Sequence, residues 1–215
     1  MNRIALLGAS RGLGWAVYTQ LAEKNKDTSF FLSSRKISEK IKFVSNNTII
    51  KPQDFSKVPL QTGFLEDLQD FKPTHLIYMA GGGPYGAYAS KKWSDHVWAL
   101  NTSFMYPAEL IHTILSHPHT WESLVQVICV GSAIAEAKAD PYAASYAAAK
   151  HALKGLISTL QQEGSGKPEL HLFSPGYMQT ELLPQSSWPR QQGLAEDVML
   201  VASRLIALIE KNNQR

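Results

Sequence analysis

Short blocks of apolar residues recur along the chain. Between them, apolar positions fall three and four apart. The first two blocks, Arg3 to Leu7 and Ser29 to Ser34, predict strands, with a helix from the intervening glycines to about Asn25. Lys36 to Val44 predicts a short helix and Asn47 to Pro52 a third strand. Pro59 to Phe71 predicts a helix with Pro59 in its first turn, where a missing N–H costs nothing. His75 to Gly83 predicts a fourth strand running into glycines, Ser94 to Ser116 a long helix, and Leu124 to Ser132 a fifth strand. Pro141 to Gln162 is an alanine-rich helix, Glu169 to Gly176 a sixth strand, and Leu194 to Asn212 a last helix.

The strands are continuous apolar runs rather than alternating ones, and they interleave with helices. That pattern predicts an α/β fold: a parallel sheet, doubly wound, with helices on both faces. Ligands on such sheets bind beyond the carboxyl ends of the strands, where strand order reverses. The 215 residues suit a single domain, 1–215, with a full core. A net charge of +3, spread evenly, gives no footprint for nucleic acid. The N-terminal apolar run is too short for a secretory signal, no run reaches membrane-span length, and Cys129 is the sole cysteine. A cytoplasmic enzyme that engages neither membrane nor nucleic acid is the expectation. The histidines at 112, 117 and 119 fit no zinc spacing, so no metal is expected.

Candidate chemistry follows the strands. Gly8, Gly12 and Gly14, with Ser10, Arg11 and Leu13 among them, form G-x-x-x-G-x-G between the first strand and the first helix. Such a turn brings backbone N–H groups and a helix N-terminus to a pyrophosphate, although a tight structural turn has the same look. The second strand ends in Ser33, Ser34, Arg35 and Lys36, with no acid before Glu39. A carboxylate there would select NAD; hydroxyls and the guanidiniums of Arg35 and Arg11 favour the 2′-phosphate of NADP(H). Tyr146 and Lys150 lie four apart on the alanine-rich helix, hence on one face, and a cation that close is expected to lower the phenol pKa. Trp93, Trp98, Phe104 and Tyr106 are read as core packing or a helix–helix interface.

Taken in order, these motifs resemble the short-chain dehydrogenase/reductase family of classical, NADP-preferring type, whose fold is the Rossmann fold. "GASRGLG" resembles its glycine motif, "YAAAK" its Y-x-x-x-K, and "SPGYMQT" its P-G-x-x-x-T turn. The resemblance implies Asn101, Ser132, Tyr146 and Lys150 as the catalytic set. It adds Asp54 and Phe55, Ala80, Gly81 and Gly82, and Pro175, Gly176, Met178 and Thr180 to the cofactor contacts. A pocket for a largely apolar carbonyl compound is expected from Tyr85, Ser132, Ile134, Tyr142, Tyr177, Leu182 and Leu183. Met79-Ala80-Gly81 stands where the family usually has Asn-Ala-Gly, so another group must tie that backbone down. Only 39 residues follow Gly176, where the family usually adds a last strand. The implied activity is NADPH-dependent reduction of a ketone or aldehyde by a homodimer, with a homotetramer as the second choice. The alternative is a protein of the same fold that binds NADP(H) as a signal and turns nothing over.

Overall fold

The computed structural model describes residues 2–136, 140–164, 166 and 168–211. Six strands form one parallel sheet: β1 (Arg3–Leu7), β2 (Ser29–Ser33), β3 (Thr48–Lys51), β4 (His75–Tyr78), β5 (Gln126–Val130) and β6 (Glu169–Phe173). Their order is β3-β2-β1-β4-β5-β6. The chain therefore winds outward from β1 and then outward again from β4, and the reversal falls between those two strands. This is the doubly wound Rossmann arrangement expected from the sequence.

Successive side chains of a strand face opposite ways, so each strand feeds two cores. Ala5 and Leu7 of β1, and Val127 and Cys129 of β5, pack against Phe64, Leu68, Leu110, Ile114 and Leu153. These last residues come from α2 (Thr62–Phe71), α4 (Tyr106–Ser116) and α5 (Ala144–Glu163). Ile4, Leu6, Ile128 and Val130 face the other way. They meet α1 (Gly12–Lys24) and α7 (Val198–Lys211) through residues such as Val17, Leu21, Val201 and Leu205. Among the described residues no helix is long and apolar enough to cross a membrane.

Several elements differ from expectation, among them the starts of α5 at Ala144 and α7 at Val198. Residues Ile37–Phe43 form a 3₁₀ run with only Ile37 buried, because a short, exposed segment lacks the packed face that sustains an α-helix. Helix α2 starts at Thr62, not at Pro59; the Leu60 amide is instead held by the Glu109 carboxylate at 3.0 Å. The long helix is divided. α3 (Trp93–Leu100) passes through a π turn, Asn101–Met105, before α4. A short α6 (Trp188–Gln191) lies in the stretch after β6.

Candidate active site

Beyond the carboxyl ends of β1 and β4 the structure has a cleft of about 490 Å³. Its floor is the glycine turn. Gly8 has φ +103°, and a Cβ there would stand 2.4 Å from the Ala80 amide nitrogen. Only glycine allows the β1 and β4 ends to pass so closely. The loop after β4 then runs under α5. A Cβ on Gly83 would stand 2.9 Å from the Tyr146 Cβ. The glycine run therefore has a concrete task, which is to bring the β4 loop against the tyrosine. The missing asparagine of that loop is replaced by Ser103. Its hydroxyl accepts the Gly82 N–H at 3.1 Å and lies 3.2 Å from the Gly82 carbonyl, to which it can donate.

Tyr146 and Lys150 project from the first half of α5 into the cleft, and Ser132 reaches it from the turn after β5. Ser132 hydrogen-bonds the Tyr146 side chain, and its hydroxyl accepts the Ile134 N–H at 3.4 Å. The Lys150 ammonium is buried, 5.6 Å from the Tyr146 ring centroid, and donates to the Val130 carbonyl at 2.6 Å. The expected lowering of the phenol is not what the fold delivers. Burial pushes Tyr146 above its ordinary value, against the opposing hydrogen bond to Ser132. Burial likewise pushes Lys150 down to about 8. Desolvation penalises both charged forms, and it outweighs the Ser132 hydrogen bond to the phenol and the Cys129 interaction with the ammonium.

The cofactor residues chosen from the sequence line this cleft, with one exception. Gly82 is tucked behind Trp98, whose ring edge a Cβ would meet at 2.7 Å. Ser34 and Arg35 end β2 at the cleft, and the Arg35 guanidinium lies over the Trp98 ring at 5.8 Å. Asp54 lies beside them. Burial pushes its carboxyl up, but hydrogen bonds from the Ser56 amide and hydroxyl and the charges of Arg35 and Lys57 bring it below its ordinary value. Arg11 does not join Arg35. It reaches across the cleft mouth to Glu181 at 2.6 Å.

Two further positions depart from expectation. The Asn101 side chain does not line the cleft; its amide donates to the Ser56 carbonyl at 3.1 Å, which ties the π turn to the loop after β3. Tyr142 does not line it either. It precedes α5 with φ +71°, so helical spacing to Tyr146 does not apply; it is 58% exposed and packs edge-on against Tyr85. Ser145 points away from the site, to His96 at 2.6 Å. Of the four aromatics of the long helix, Tyr106 is core, Phe104 packs on the core, Trp93 is exposed and Trp98 lines the cleft. Thr102, Asp140 and Glu181 also line the cleft and carry no local sequence signal for doing so. Among the described residues no three His, Cys, Asp or Glu side chains converge to hold a metal.

A strand-order reversal, a glycine turn beneath it, and a Tyr146–Lys150 pair beside Ser132 meet in one cleft. Comparison gives the family. Residues 2–190 match the short chain dehydrogenase family, and the chain belongs to that family of oxidoreductases. A benzil reductase ((S)-benzoin forming) of Bacillus cereus is 26% identical over 200 residues, covering 86% of this chain and 79% of the relative. Among solved structures, a 4-hydroxyisoleucine dehydrogenase complexed with NADH superimposes with TM-score 0.82 at 20% identity, covering 97% of this chain and 91% of that one. A short chain dehydrogenase from Burkholderia cenocepacia in complex with NADP gives 0.75 at 20% identity, covering 97% and 89%.

Proposed function

We propose that the protein is an NADPH-dependent reductase of ketones or aldehydes, with Tyr146 as general acid. One observation carries the reading: Tyr146, Ser132 and Lys150 share one cleft with the glycine turn, and Ser132 is bonded to the phenol. The relative named for benzil reduction supports the carbonyl substrate class.

The residues present suit a dinucleotide. The floor admits no Cβ at Gly8, and Ser34 Oγ and Thr102 Oγ1 are buried polar atoms at the cleft with no protein partner among the described residues. Ser34, Arg35 and Lys36 suit a 2′-phosphate, and the nearest acid in sequence, Glu39, is 3.8 Å from Lys36. When bound, a dihydronicotinamide supplies a hydride to the carbonyl carbon. Ser132 orients the carbonyl oxygen toward Tyr146 by hydrogen bonding. Tyr146 donates its proton to that oxygen as negative charge develops there, which completes the alcohol. The phenol carries its proton at neutral pH and so can give it to that oxygen. Lys150, held at about 8, has an exchangeable proton near neutral pH with which to restore the phenol. Asn101 acts at one remove, as a positioning residue that fixes the turn presenting Thr102. Exposed Trp93 and Met105, on the same helical rod, support a homodimer built on that rod.

The test is Tyr146→Phe assayed with NADPH and a ketone panel. Turnover is expected to fall by about 10² to 10⁴ with NADPH binding intact. Retained activity overturns the assignment.

A further inference from the structure

One buried charged group at the cleft has no part in the hydride chemistry. Asp140 is 7% exposed, and it lines the cleft. It accepts the Trp188 indole N–H at 3.0 Å and is hydrogen-bonded to the Tyr177 side chain. Aromatic rings surround it. Tyr85 and Tyr177 share the cleft wall, Tyr142 packs on Tyr85 at 6.1 Å, and Trp188 packs on Tyr177 at 5.7 Å. Burial and then the Asp140 charge push up both the Tyr85 and Tyr177 phenols, so the field of the carboxylate reaches both rings.

A carboxylate offers about four acceptor positions, and the indole and the phenol use two. Among the described residues no Lys, Arg or His stands within ion-pair distance of it. A desolvated carboxylate is costly unless a cation or further donors meet it. A buried negative charge with acceptor positions left over attracts an organic cation that brings donors. A protonated amine meets both requirements, since it brings three donors and one positive charge.

We propose that Asp140, with Tyr85 and Tyr177, forms a subsite for an alkylammonium group, and that the substrate is a carbonyl compound carrying a protonated amine. This rests on the carbonyl reductase reading and names its substrate class; it replaces the expectation of a largely apolar substrate. Asp140 also ties Trp188 and Tyr177 to the start of α5, so the test has to separate charge from latch.

The probes are 4-(aminomethyl)acetophenone and 4-ethylacetophenone, which have matched shapes with an ammonium in place of a methyl. The wild-type protein is expected to reduce the amine with kcat/KM about tenfold or more above the neutral ketone. Asp140→Asn keeps an acceptor for the indole, and it is expected to erase that preference, with the larger loss falling on the amine probe. Calorimetric binding of both probes, without cofactor, reads the subsite independently of turnover. Equal handling of the two probes by the wild type overturns the subsite. So does a variant that keeps the preference, or one that loses both probes equally. Binding of the amine that depends on Asp140, with neither probe reduced, upholds the subsite and overturns the reductase reading.

Discussion

The two walls of the cleft are built differently. The wall under the glycine turn is fixed by backbone: β1, β4 and β5 end there in full hydrogen-bonded register, and the loops pass at distances only glycine permits. The wall that follows β6 has one short backbone bridge, Met178 to Glu196, and otherwise leans on side chains. Arg11–Glu181, Trp188–Asp140 and the Arg190 bonds to the Thr180 and Leu183 carbonyls hold residues that are largely half-buried or exposed. Backbone register leaves little freedom, whereas a few side-chain bonds can be changed one at a time. The first wall therefore suits steps that need fixed geometry, and the second suits selection among substrates.

That contrast can be broken by experiment. The largest effect is expected on the rigid wall. Gly83→Val puts a branched side chain where a Cβ already stands 2.9 Å from Tyr146, and turnover should fall by about 10² or more through misplacement of the phenol. Activity close to wild type would show that this wall yields. Lys150→Met comes next. Turnover should fall by about 10² or more, yet the variant should be more stable at neutral pH, by on the order of 1–3 kcal/mol, because a buried ammonium is removed. The sign is fixed by the folded value of about 8 against an ordinary 10.5. Between them the unfolded chain holds the extra proton, so wild-type stability rises with pH there. The melting-temperature gap between variant and parent should be full below pH 8 and close toward pH 10.5. Arg35→Ala is expected to weaken NADPH binding by about tenfold and NADH binding far less, since only the former offers a phosphate dianion. Equal losses in a fluorescence titration would remove the phosphate argument. Glu181→Gln is the smallest. An exposed ion pair contributes about 0–1 kcal/mol, so melting should barely move while the KM for cofactor or substrate shifts a few-fold at most. A collapse of kcat in that variant would erase the difference between the walls.

The same contrast decides what was legible in the sequence. The glycine turn and the Tyr146–Lys150 pair are marked by local spacing, and the family resemblance gives them, with Ser132, a role. Asp140 and Trp98 could not be found that way. They belong to the site only because the stretch after β6 and the π turn close over it, and no short-range pattern encodes that closure. Tyr142 was misplaced because its left-handed backbone puts it before the helix, beyond the reach of helical periodicity. The direction of the phenol shift was misjudged for a related reason. Spacing reveals a neighbouring charge, but only the packed structure reveals how much water has been removed.

The π turn at Asn101–Met105 carries a consequence for deletion. A single surplus residue in a helix rotates everything beyond it by about 100°. Here α3 aims Trp98 at the cleft, while α4 aims Leu110, Ile111 and Ile114 at the sheet. The same turn leaves the Thr102 carbonyl to accept the Tyr78 hydroxyl at 2.7 Å. Shortening this rod by one amino acid would put its two ends out of phase, so that either the tryptophan or the three aliphatics would swing off target.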